Sequence, residues 1–117
     1  MLLNGLQGET LQGMLDMMHL SGYDTEQLNQ YFKRILDGIE DADNVTRFVT
    51  ANSLWYDKRY MLEPGVEQSL SDYYDCEFYP VVYGKEATAK INKWVDDRTY
   101  GRIKKIIDNT TPDFDFY

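Results

Sequence analysis

The stretch from Thr50 to Ile107 constrains this chain most, because it spells a strand, a helix, a second strand and a second helix. Asn44 to Asp57 is rich in Val, Thr, Phe and Trp and reads as a long strand. Val45, Arg47, Val49, Ala51, Ser53 and Trp55 share one face, and Phe48, Thr50, Asn52, Leu54 and Tyr56 the other. Neither face is wholly polar, so both are expected to be covered at least in part. Pro64 suits the first turn of the next helix, Glu63 to Tyr74, where a missing N–H costs nothing. Residues 76 to 83 form the second strand, in which Pro80 demands an edge or a bulge. A helix from Lys85 is expected to bury Ala87, Ile91, Trp94 and Val95, with the Ile91, Trp94 and Val95 face against the strand that holds Leu54. Gly101 punctuates it, and Ile103, Ile106 and Ile107 continue in a further turn or two.

The first half reads as helices. Residues 2 to 9 look like a helix end and a turn, and Thr10 caps a short helix to His19 with Leu11, Met14, Leu15 and Met18 in one stripe. Ser21-Gly22 ends it, the glycine supplying a left-handed cap. Asp24 and Gln27 make an approximate capping box for the strongest helix of the chain. Its Leu28, Tyr31, Phe32, Ile35, Leu36 and Ile39 repeat as one buried face, opposite Glu26, Gln30, Lys33, Arg34 and Asp37. The acidic run that follows fails as a calcium loop. Counted from Asp41, positions six and twelve hold Thr46 and Asn52, where glycine and glutamate are needed.

Chemistry is scarce. His19 is the only histidine and sits in no motif, and Cys76 is the only cysteine, so neither an internal disulfide nor a cysteine metal cluster can form. No phosphate loop, zinc pattern or nucleophile elbow is present, which argues against an enzyme and against any cofactor or metal. A net charge of −8 repels phosphate backbones and anionic lipids, so neither nucleic acid nor a membrane surface is an expected partner. The opening residues lack the apolar run of a signal peptide, and no window is long enough to span a membrane. The sequons at Asn44 and Asn109 are read as chance. At 117 residues, size alone points to a single domain.

Order and wording together resemble the serpin family of serine protease inhibitors. Gly8-Glu9-Thr10 looks like the start of serpin helix C, after the end of helix B at Leu2-Leu3. The Asp24 to Ile39 helix is similar to helix D, and Glu63 to Tyr74 to helix E. Asn52-Ser-Leu-Trp-Tyr56 with Thr50 and Leu54 resembles the second strand of sheet A, and Phe78 to Tyr83 its outer strand. The most specific match is to the helix F motif, carried by Ile91, Asn92, Trp94, Val95, Thr99, Gly101 and Ile103.

The resemblance implies an α+β fold, a partial serpin with several helices on a sheet-A fragment of two or three strands, in one truncated domain over residues 1 to 117. Serpins offer a reactive loop to a protease, which cleaves it and becomes acyl-linked. The cut loop then enters sheet A, past the overlying helix F, and the protease is distorted. No residue here matches the reactive bond, so the expectation is a scaffold portion of a serine or cysteine protease inhibitor, not inhibitory alone. The alternative is a stand-alone interaction module built on the same helix and sheet layer. Location is left open by the sequence, with an extracellular site expected only if the chain is an excerpt of a secreted serpin. The protease target belongs to the full-length context. A homodimer is expected through the open edge of the long strand, with Phe114 and Phe116 in the acidic tail as candidate interaction residues.

Overall fold

The structure is a computed structural model that describes residues 1–40, 48–111 and 117. A 3-10 turn (Leu2–Gly5) opens the chain, followed by α1 (Gly8–Met17), α2 (Thr25–Glu40), β1 (Asn52–Asp57), α3 (Pro64–Tyr74), β2 (Cys76–Val81) and α4 (Lys85–Arg98). Four α-helices and a two-stranded sheet make an α+β fold. Two compact units emerge: Met1–Thr50 with Leu62–Asp75, and Ala51–Met61 with Cys76–Tyr117.

In the helical unit, Leu3, Leu15 and Leu28 are buried, with Leu11, Met14, Leu20 and Phe32 packed around them. The helix α1 begins at Gly8, two residues before Thr10, and its stripe holds as far as Leu15, while Met18 is exposed. It ends differently from the expectation. The left-handed residue is His19 (φ 58°) and not Gly22, and the Leu20 N–H closes the cap on the Leu15 carbonyl at 2.8 Å. Burial of Leu20 beside Leu15 holds the histidine in a conformation that glycine would adopt freely.

The capping box of α2 is present in both directions. The Gln27 N–H donates to Asp24 Oδ1 at 2.8 Å, and the Asp24 N–H donates to Gln27 Oε1 at 3.0 Å. The buried face is a correction. Leu28 is buried and Phe32 and Leu36 are half-buried, but Tyr31, Ile35 and Ile39 are exposed. Asn29 takes a place in the interior instead, with 3% of its surface exposed. It exchanges amide hydrogen bonds with Asn4 (3.0 and 2.7 Å) and accepts from the Tyr74 hydroxyl at 2.8 Å. A buried amide without partners is costly, so this satisfied network turns the helix towards Asn29 and away from its more apolar flank.

In the second unit, β1 and β2 pair in parallel from Asn52↔Cys76 to Asp57↔Val81. The strand expected over 44–57 is shorter: residues 48–51 are not strand, because β2 first comes alongside at Asn52, and residues 44–47 lie outside the described part. Likewise β2 stops at Val81 and not at Tyr83. The Lys58 N–H donates to the Val81 carbonyl at 2.9 Å, so Val81 faces β1 and Pro80, one residue away, faces the open side. Pro80 therefore withholds an N–H from an edge, as its presence demanded.

The core here is Trp55, Val81, Ala87 and Ile91, ringed by Tyr79, Tyr83, Trp94, Ile107 and Tyr117. The strand that holds Leu54 does meet α4, as expected, through Trp55, and Tyr79 stacks on that ring with centroids 4.2 Å apart. Trp94 stands at the periphery, half-buried. No further helical turn follows Gly101: the Gly101 N–H closes α4 on the Asp96 carbonyl at 2.8 Å, with Tyr100 (φ 55°) and Gly101 (φ 77°) both left-handed.

His19→Gly tests the cap. Relief of left-handed strain, about 1–2 kcal/mol, less glycine's greater freedom in the unfolded chain, about 0.4–1 kcal/mol, leaves a net gain. The denaturant midpoint is expected to rise, and a fall would show that the imidazole itself holds the cap.

Candidate functional site

The residues that matched the helix F motif lie on α4 and just beyond it, and their geometry is a polar seam. A chain that leaves a helix without joining a sheet must find partners for its own N–H and C=O groups. Three side chains of α4 and its cap supply them. Thr99 Oγ1 donates to the Val95 carbonyl at 2.8 Å and accepts from the Ile103 N–H at 3.0 Å. Asn92 Oδ1 accepts from the N–H groups of Ile106 (2.8 Å) and Ile107 (3.1 Å), while its Nδ2 donates to the Ile107 carbonyl at 2.9 Å. Thr88 Oγ1 accepts from the Thr110 N–H at 2.9 Å and donates to the Gly84 carbonyl at 3.0 Å.

Thr110 completes the seam. It is 2% exposed, and its hydroxyl accepts from the Gly84 N–H at 2.8 Å and lies 3.0 Å from the Gly84 carbonyl. That hydroxyl answers an orphan N–H at the start of α4, where the Gly84 backbone (φ 134°) is open to glycine and strained for other residues. The seam thus runs the length of the helix, and it brings Ile107 against the Trp55 core.

Of the remaining motif residues, Ile91 and Val95 are buried on α4, Asn52 and Leu54 are half-buried on β1, Thr50 lies just before β1, and Ile103 is exposed. Phe114 and Phe116 lie outside the described residues. The tail is nevertheless seen at Tyr117, whose N–H donates to the Trp55 carbonyl at 2.8 Å and whose carbonyl accepts from the Trp55 N–H at 2.9 Å. Its ring meets Tyr83 edge-on at 5.2 Å, and its hydroxyl accepts from the Thr111 N–H at 2.9 Å.

Sequence reasoning missed a second cluster on the same unit. Arg98 pairs with Glu77 and sits over the Trp94 ring at 5.8 Å, and the Tyr79 hydroxyl also donates to Glu77. That bond, with burial, pushes the Tyr79 phenol above its usual range. Asp96 is half-buried, and among the described residues its Oδ1 and Trp94 Nε1 have no hydrogen-bond partner. At the end of β1, buried Asp57 accepts from Arg59 Nε and N–H, both at 2.9 Å, which hold its carboxyl below the usual range.

His19 is exposed at its turn, and Cys76 is 5% exposed with its thiol pushed up by burial. Among the described residues no group of three or more His, Cys, Asp or Glu is placed to hold a metal ion, and no helix is long and apolar enough to cross a membrane.

The family model described as "Serpin (serine protease inhibitor)" matches residues 1–116. An uncharacterized serpin-like protein of Methanosarcina acetivorans is 28% identical over 107 residues, covering 89% of this chain and 25% of that protein. Iripin-8 of Ixodes ricinus is 28% identical over 118 residues, covering 94% of this chain and 28% of that protein. The solved structure of tengpin, a thermophilic serpin in the latent state, superposes with a TM-score of 0.86 at 25% identity over 97% of this chain and 31% of that one. A loop C-sheet serpin polymer gives a TM-score of 0.82 at 26% identity, over 94% of this chain and 29% of that one. The chain spans less than a third of the length of each of these relatives. With matching sequence pattern, matching fold and a family model over nearly every residue, the chain belongs to the serpin family.

Proposed function

We propose that these 117 residues are the scaffold portion of a serpin-type serine or cysteine protease inhibitor, part of one such domain, non-enzymatic and not inhibitory by themselves. The carrying observation is the pairing of a family match over residues 1–116 with coverage of only 25% and 28% of the relatives' lengths. The β1–β2 pair with α4 and its seam supports the reading as an anchored corner of a larger sheet. Covalent trapping needs a bait loop and a sheet that opens for it, and the functional residues derived above are all packing and hydrogen-bonding groups. Incubation with trypsin, chymotrypsin or papain is expected to give no denaturant-stable adduct of the 117-residue chain. An adduct that survives boiling in detergent would overturn the proposal.

The homodimer expected through the β1 edge would compete with the chain's own Tyr117, which already occupies both backbone groups of Trp55. This pairing favours a monomer for the intact chain. Light scattering is expected to report a monomer, and removal of residues 113–117 is expected to free the edge and raise the apparent mass. A dimer of the intact chain that is unchanged by the deletion would place self-association elsewhere.

A further inference from the structure

The exposed flank of α2 encloses something more specific than an apolar stripe. Leu20, Tyr23, Gln27, Leu28, Tyr31 and Arg34 line a cleft of about 370 Å³ within the helical unit. That is at the lower end of the roughly 300–1,000 Å³ typical of small-molecule sites. Its floor is apolar, made by buried Leu28 and half-buried Leu20. Its walls are two tyrosines more than half exposed, Tyr23 at 56% and Tyr31 at 58%.

The polar groups around this floor share one character. The Arg34 guanidinium and the Tyr23 and Tyr31 hydroxyls have no hydrogen-bond or ion-pair partner among the described residues. Gln27 has its Oε1 engaged by the Asp24 N–H, so what it retains for a ligand is its NH2. Among the described residues no carboxylate lines the cleft, although the chain carries twenty Asp and Glu against twelve Lys and Arg. A site that offers a guanidinium, two hydroxyls and an amide NH2 over leucine side chains selects an anion with an apolar body. Arg adds a planar fork that fits a carboxylate, and tyrosine rings give flat walls to an aromatic or short aliphatic group.

We infer that this cleft between the α1–α2 turn and α2 is a binding site for a small amphipathic carboxylate, with Arg34 meeting the carboxylate and Tyr23 and Tyr31 flanking its apolar body. The exposure of the Tyr31 ring follows from the way α2 is turned. Asn29 turns α2 inward on its other side, which leaves Tyr31 outside the core while Leu28 remains beneath it. The inference does not depend on protease inhibition, and it assigns to the helical unit a ligand of its own.

Titration of the isotopically labelled 117-residue chain with phenylacetate, followed by amide and side-chain NMR, tests it. Saturable shifts are expected at Leu20, Tyr23, Gln27, Tyr31 and Arg34, and not at the α4 seam. Phenylacetamide, the uncharged isostere, and the exposed-site variant Arg34→Gln are each expected to weaken binding about tenfold, the loss of one charge-assisted contact. Absence of saturable shifts at these residues would overturn the inference. So would equal binding of the acid and the amide, or an affinity unchanged by Arg34→Gln.

Discussion

The three hydrogen bonds made by the Asn92 side chain are the interaction on which the second unit most depends. One amide accepts from two successive N–H groups and donates to a carbonyl, which is the work a neighbouring strand would otherwise do for residues 106–107. Without it, the chain leaving α4 has no regular structure to follow, since the helix is closed at Gly101 and no further turn forms. With it, Ile107 reaches the Trp55 core, and Thr110 reaches the start of the same helix to satisfy Gly84. The seam converts one helix into a template for the segment that follows it.

The helical unit uses a related device to a different end. There the reciprocal pair of Asn4 and Asn29, joined by Tyr74, selects which side of α2 is buried. Such a network specifies an arrangement more than it adds stability, because each amide surrenders water to gain its partners. Its consequence is visible on the surface, where Tyr31, Ile35 and Ile39 remain exposed. In each unit an asparagine has decided what the apolar residues alone would leave open.

Much of the fold was legible because it is written in local chemistry. Asp24 and Gln27 announce the start of α2, Pro64 the start of α3, and Pro80 an edge strand, each through a backbone group that the residue supplies or withholds. Ile91, Asn92, Trp94 and Val95 carried the family in a few letters. What was not legible depends on partners distant in sequence. The length of β1 is set by where β2 begins, the left-handed turn at His19 by the burial of Leu20, and the inward face of α2 by Asn4 and Tyr74. Asn92 was recognisable as part of a motif, but its role required the position of residues 106–107. Periodicity places side chains on faces, and it cannot say which polar group will be paired.

The central claim, that the α4 side chains hold the following segment as a strand would, is tested most directly by amide hydrogen exchange. In the intact chain the Ile106, Ile107 and Thr110 amides should be protected along with those of α4. In Asn92→Ala, Ile106 and Ile107 should lose that protection while Thr110, held by Thr88, keeps it. Exchange of Ile106 and Ile107 at unprotected rates in the intact chain would contradict the account.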